Sequence, residues 1–249
     1  MRRIRTIPVL LLKNGGLYKT VNFKSPTYVG DPINAVKIFN EKETDELILL
    51  DYNASADSRQ IDYKRIEEIA GEAFMPMAYG GGIKTLDDAK RVFDCGFEKV
   101  VLNSVLISNP GLVDEIGNIF GAQAIVGSID YKKNLFGKSK VYTQSGSKNT
   151  GYDPIEWAER LQSYGVGEIM LNSIDRDGTW SGYDLDMIKK VSAKINVPLI
   201  ACGGAGSVAD LKEGVSAGAS AVAAGSMFVF QKKGMGVLIS FPAESIVYG

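Results

Sequence analysis

Two glycine-rich turns carry the clearest chemical signal in this chain. Residues 198–202 are apolar and strand-like, and they stop at Gly203-Gly204-Ala205-Gly206. A helical pattern follows over 207–217, and a second apolar strand over 219–224 runs into Gly225-Ser226. Earlier, Met77-Ala78-Tyr79 stops at Gly80-Gly81-Gly82, a helix runs to Cys95, and a strand over 99–102 ends in Asn103-Ser104. Glycine lets backbone N–H groups approach a ligand, and the start of a helix favours an anion. One such turn could be a simple connection; two copies of one device favour a phosphate cradle. Gly80 and Gly203 are 123 positions apart, and Ser104 and Ser226 are 122 apart, nearly half of the 249 residues. That offset predicts internal duplication. Two cradles at one mouth predict a ligand with two phosphates, or one phosphate and a similar anion.

The proton-transfer inventory is narrow. The sequence has no histidine, so histidine-based nucleophile pairs, metal ligands and acid–base chemistry are excluded. Asp, Glu, Lys, Tyr and Cys remain. The two cysteines, Cys95 and Cys202, fit neither a metal pattern nor a disulfide framework and are expected to be buried thiols. No metal and no cofactor is expected. The net charge of −1 implies no general attraction to nucleic acid or to membranes. Residues 2–5 are basic and 7–12 apolar, but the apolar run is too short for a signal peptide, and the expectation is a cytoplasmic protein.

Strand-like and helical runs alternate along the whole chain. Strands are expected at 6–12, 46–51, 77–80, 99–102, 122–129, 168–172, 198–202 and 219–224, with a polar loop over 23–31 and a long irregular stretch over 131–151. Eight alternations without a linker predict one parallel (β/α)₈ barrel over residues 1–249, with half-barrels of about 1–120 and 121–249. Residues 237–241 look like a strand. Barrel active sites lie at the C-terminal ends of the strands, where phosphate sites follow strands seven and eight. The polar residues at those ends include Asp51, Asn103, Asp130, Asn172, Asp175 and Asp177. Asp130, between an apolar strand and a polar loop, is the strongest candidate for an acid or base.

Several stretches carry a family resemblance: Asp51…Ala54-Ser55, Gly80-Gly81-Gly82-Ile83, Phe120-Gly121-Ala122-Gln123-Ala124, Ser145-Gly146…Lys148-Asn149-Thr150-Gly151, residues 173–178 with Ser181-Gly182-Tyr183-Asp184, and residues 203–206. From about Arg5 to Phe228 the chain resembles the cyclase subunit of imidazole glycerol phosphate synthase. The resemblance implies a duplicated TIM barrel that takes ammonia from a HisH-like glutaminase at its N-terminal face and adds it to a phosphorylated small molecule. It implies Asp130 as one catalytic aspartate, with Leu11 at the position of the other. It implies substrate contacts at Lys19, Asp51, Gly81, Gly82, Asn103, Ser104, Asp177, Gly178, Gly204, Gly225 and Ser226, and an ammonia gate at Arg5, Glu46, Lys99 and Glu168. Asn172 stands where the family usually has Thr. Leu11 and the 236–242 tail resemble a branch that supplies ammonia to a third, sugar-amidating protein in surface-polysaccharide synthesis. The histidine-pathway cyclase, and a non-catalytic conduit that activates the glutaminase, are the alternatives.

Overall fold

In a computed structural model, which describes residues 2–52, 54, 57, 59–242 and 247–248, eight parallel strands close into a barrel. They are β1 (Arg5–Lys13), β2 (Leu47–Asp51), β3 (Met77–Gly80), β4 (Lys99–Leu102), β5 (Ile125–Lys133), β6 (Glu168–Ser173), β7 (Leu199–Cys202) and β8 (Ala221–Ala224). They pair in chain order, and β8 returns to β1 with Ala221 beside Arg5 and Ala224 beside Pro8. The expected fold class is therefore the observed one. Helices α1 (Pro32–Glu41), α2 (Tyr63–Ala70), α3 (Leu86–Asp94), α4 (Leu112–Phe120), α5 (Pro154–Ser163), α6 (Leu185–Ser192) and α7 (Val208–Ser216) surround it. Among the described residues no helix is long and apolar enough to cross a membrane.

The strand period of two divides the core. Side chains such as Ile7, Ile48, Val126, Met170 and Ile200 fill the barrel. Their sequence neighbours, including Leu10, Leu49, Tyr79, Leu102 and Ile169, pack outward under the helices. The half-chain offset recurs in the caps. Thr85 and Asp88 form a reciprocal capping box at the start of α3, and Ser207 and Asp210 form the same box at the start of α7. Single helical turns, Val105–Ser108 and Ser226–Val229, follow β4 and β8.

Three stretches depart from expectation. The polar loop expected over 23–31 contains a strand, Lys24–Gly30, paired with Gly16–Val21. Asn22 and Phe23 both adopt positive φ between them, as a two-residue hairpin turn requires. Strand β5 does not stop near residue 129. It runs through Asp130 to Lys133 and folds back on Ser139–Thr143, which pairs in turn with Lys148–Asn149, so the stretch expected to be irregular is largely an ordered hairpin. Cys95 is half-buried rather than buried; it and Cys202 are both free thiols.

The tail forms no strand over 237–241, only a single bridge. Phe230 bridges Val237, the Leu238 amide donates to the Val229 carbonyl, and the Ser240 amide donates to the Phe228 carbonyl. Phe241 packs on Phe228 at a ring separation of 5.6 Å. Ile239 of this arm lies near Leu10 of β1 and Ala35 of α1. A hollow of about 520 Å³ remains there, lined by Leu10, Ala35, Val229 and Ile239 among others.

Candidate active site

Four charges meet at the N-terminal ends of the strands. Arg5 Nη1 donates to Glu46 Oε2 at 2.6 Å, and Arg5 Nη2 donates to Glu168 Oε1 at 2.7 Å. Lys99 Nζ lies 3.0 Å from Glu46 Oε1 and 3.2 Å from Glu168 Oε2. The result is a closed circuit of alternating sign across the barrel bottom. Its Glu46 side chain is only 3% exposed. Burial alone would lower the Arg5 pKa; the neighbouring charges of Glu168 and Glu46 outweigh it and hold the pKa above its usual value. Above the ring the barrel interior is apolar, with Ala78, Ala221 and Ala223 interspersed among the larger side chains.

At the opposite end lies a cleft of about 1070 Å³. Asp130 sits at its base on β5. Asn103 Nδ2 donates to Asp130 Oδ2 at 3.1 Å, and Asn172 Nδ2 donates to Oδ1 at 3.0 Å. Burial pushes the Asp130 carboxyl up to about 7; the Asn172 bond opposes that shift and the Asp177 charge adds to it. An acid titrating there can both hold and release a proton near neutral pH. Leu11, on the diametrically opposed strand, also lines the cleft and offers only methyl groups.

Lys19, on the hairpin that folds over the mouth, is buried, and its ammonium donates to the Val9 carbonyl. Burial lowers its pKa to about 8 despite the nearby Asp177 charge. Asp177 accepts from Thr20 Oγ1 at 3.1 Å, and Gly178 bends tightly against the Thr20 carbonyl. Asp51 is engaged by Arg59 at 2.9 Å. Ser55, quoted with Asp51 above, lies outside the described residues. Gly81, Gly82, Asn103 and Ser104 line one side of the cleft, and Gly225 lines another.

Of the second expected cradle, Gly225 lines the cleft directly. Gly204 and Ser226 are not among the residues lining the cleft. Gly204 has φ +115°, and a Cβ there would stand 2.2 Å from the Gly182 carbonyl oxygen. The neighbouring backbone requires glycine at this position. Gly204→Ala is therefore expected to lower the thermal unfolding midpoint by several degrees, since a strained backbone position costs about 1–3 kcal/mol. Thermal unfolding followed by circular dichroism, with and without phosphate, checks this; the loss should be the same in both.

The family profile described as "Histidine biosynthesis protein" matches residues 5–233. The chain belongs to that family. A Pseudomonas aeruginosa protein provisionally named imidazole glycerol phosphate synthase subunit hisF2 is 52% identical over 243 residues, 97% of each chain. A Leptospira interrogans protein, also provisionally named as an imidazole glycerol phosphate synthase subunit HisF, is 45% identical over 244 residues, 97% of this chain and 96% of its own. The Streptomyces griseus imidazole glycerol phosphate synthase subunit HisF is 42% identical over 227 residues, 91% of this chain and 90% of its own.

Within this histidine biosynthesis fold the sequence left some neighbours of the site unread. Arg59 was not singled out, although it neutralises Asp51 and also donates to the Tyr52 carbonyl at 2.7 Å. Phe23 lines the cleft because the hairpin turns there. Cys202 also faces it, and burial pushes that thiol up to about 12, so it is inert as a nucleophile. The alternation of β7 carried the signal for Cys202. Arg59 also lies 3.6 Å from Asp57, and nothing in the residue order singles out Asp51 from Asp57 or Asp62 as its closer partner.

Proposed function

We propose that this chain is the ammonia-receiving synthase subunit of a glutamine amidotransferase. A glutaminase docks on its N-terminal barrel face, and the product is a nucleotide-linked sugar carrying an acetamidino group, made together with a third, sugar-amidating protein. The observation that supports this reading is the axial order of the barrel: a charged ring, an apolar interior, then a polar cleft. Neutral ammonia carries no charge to desolvate and can cross apolar lining that stops ions. At the cleft, Asp130 holds or moves the proton, with Asn103 and Asn172 fixing its carboxylate. The phosphorylated substrate would rest on the backbone of Gly81 and Gly82 with Ser104, and near Gly225 and Ser226, with Lys19, Asp51, Asp177 and Gly178 closing the mouth.

The histidine-pathway cyclase is the second reading, favoured by the names of the relatives. Leu11 decides between the two. Leu11 stands where the resemblance implies the second catalytic aspartate, and the loss of one general acid or base costs about 10²–10⁴-fold. The wild-type chain is expected to turn over the histidine-pathway intermediate with ammonium salt only at a trivial rate. Leu11→Asp is expected to raise that rate, because β1 and Asp130 already flank the cleft. Robust turnover by the wild-type chain in that assay would overturn the sugar reading in favour of the cyclase.

A further inference from the structure

The hairpin that continues β5 past Asp130 ends in a surface that the chemistry described so far does not use. Leu135 is 102% exposed and Phe136 86% exposed, side by side at its tip. The tip is ordered. The Phe136 and Lys138 amides donate to Asn134 Oδ1 at 2.9 and 3.0 Å, and the Gly137 amide donates to the Asn134 carbonyl at 2.9 Å. Gly137 supplies the positive φ the turn needs. Residues 131–151 hold five lysines, at 132, 133, 138, 140 and 148, and no acid, within a chain of net charge −1. Two of these lysines are held by the hairpin's own backbone: Lys132 donates to the Gly146 carbonyl at 2.7 Å and Lys140 to the Gly151 carbonyl at 2.8 Å. Two carboxylates reach the base of the hairpin, away from its tip: Asp175 accepts from the Lys133 amide at 2.8 Å, and Asp184 from the Tyr131 hydroxyl at 3.2 Å.

A rigid apolar pair framed by one sign of charge has the anatomy of a protein-binding anchor, with a hydrophobic centre and a polar rim that steers the encounter. Its place is equally specific. The hairpin rises from the strand that carries Asp130, on the rim of the cleft and at the opposite end of the barrel from the Arg5 ring. We propose that the Leu135-Phe136 tip is the docking anchor for the protein that takes ammonia from this cleft, and that this partner presents an apolar pocket rimmed with Asp and Glu. The inference rests on the ammonia-delivery reading above and adds to it the surface that holds donor and acceptor mouth to mouth.

The test uses the full chain with its glutaminase and the sugar-amidating protein. Affinity for the sugar-amidating protein is measured by titration, and glutamine-driven product formation by turnover. Leu135→Ser with Phe136→Ser is expected to weaken binding about 30-fold, as loss of an anchor pair does. Glutaminase binding and the unfolding midpoint should not change, because both side chains project into solvent. Lys133→Glu with Lys138→Glu should slow association at low salt, with the difference shrinking as salt rises. Unchanged affinity in the Leu135/Phe136 variant overturns the anchor. So does a tip that instead supports self-association, or pelleting with phosphatidylglycerol vesicles, in place of binding to that protein. Product formed from glutamine with an unaffected variant leaves ammonia delivery standing and removes only the anchor. Tip-dependent binding without product does the reverse.

Discussion

Asp130→Asn is expected to reduce ammonia-driven product formation by about 10²–10⁴-fold, while the chain still folds and still binds the proposed glutaminase. The substitution is tolerated structurally for a specific reason. Asn103 and Asn172 both donate to Asp130, so an amide in its place would put two NH₂ groups face to face. The Asn172 Oδ1 has no partner, however, so rotation of that amide restores an acceptor. The pH dependence carries the same signature. In the folded chain Asp130 titrates at about 7, whereas an unfolded aspartate titrates near 3.8. Between those values the unfolded chain is the more ionised, so this group removes stability as pH rises through the window, and the loss levels off above the folded pKa. The variant should lack this slope. Denaturant titrations from pH 4 to 8, paired with turnover, check both parts; a variant with wild-type activity removes Asp130 from the chemistry.

The second large effect is at the other end of the barrel. Glu46→Ala leaves Arg5 and Lys99 facing each other with Glu168 alone between them. Breaking a buried ion network by removing one partner costs about 3–5 kcal/mol. For a chain of this size that lowers the unfolding midpoint by roughly 10 °C. Lys99→Ala is the milder case, because Arg5 still bridges both glutamates, at 2.6 and 2.7 Å. Its expected effect is functional. The opening loosens, glutaminase turnover and product formation come apart, and chemistry driven by ammonium salt changes little. Measuring both rates in one reaction checks it. Coupling that survives Lys99→Ala, or the lack of any glutaminase that binds, reduces the ring to a structural plug.

What could be read from the sequence, and what could not, follows from the range of the interactions. Asn14-Gly15 marks a turn because both residues tolerate positive φ, but the strand Gly16–Val21 that follows was not expected. Asn22-Phe23 makes an equivalent turn, but phenylalanine is an unusual choice there, so the strand behind it was missed. Asp31-Pro32 and Asp153-Pro154 mark helix starts through local capping, and α1 and α5 begin there. The ring was legible only through the family resemblance, since its members lie up to 163 positions apart, yet the geometry joins all four. Gly204 carries a packing constraint that residue order does not show, because the Gly182 carbonyl that crowds it comes from another loop.

The ring also sets an order of assembly. Arg5 is made first and stays on an unpaired strand edge until Ala221 arrives beside it. A chain cut at about residue 120 would carry Arg5, Lys99 and Glu46 without Glu168, two cations against one anion. Contacts this distant in sequence form late, after local helices and hairpins. The face with the charged circuit therefore exists only on a chain that has been completed and closed. A partner that recognised this circuit would engage finished barrels and pass over nascent or half-folded ones.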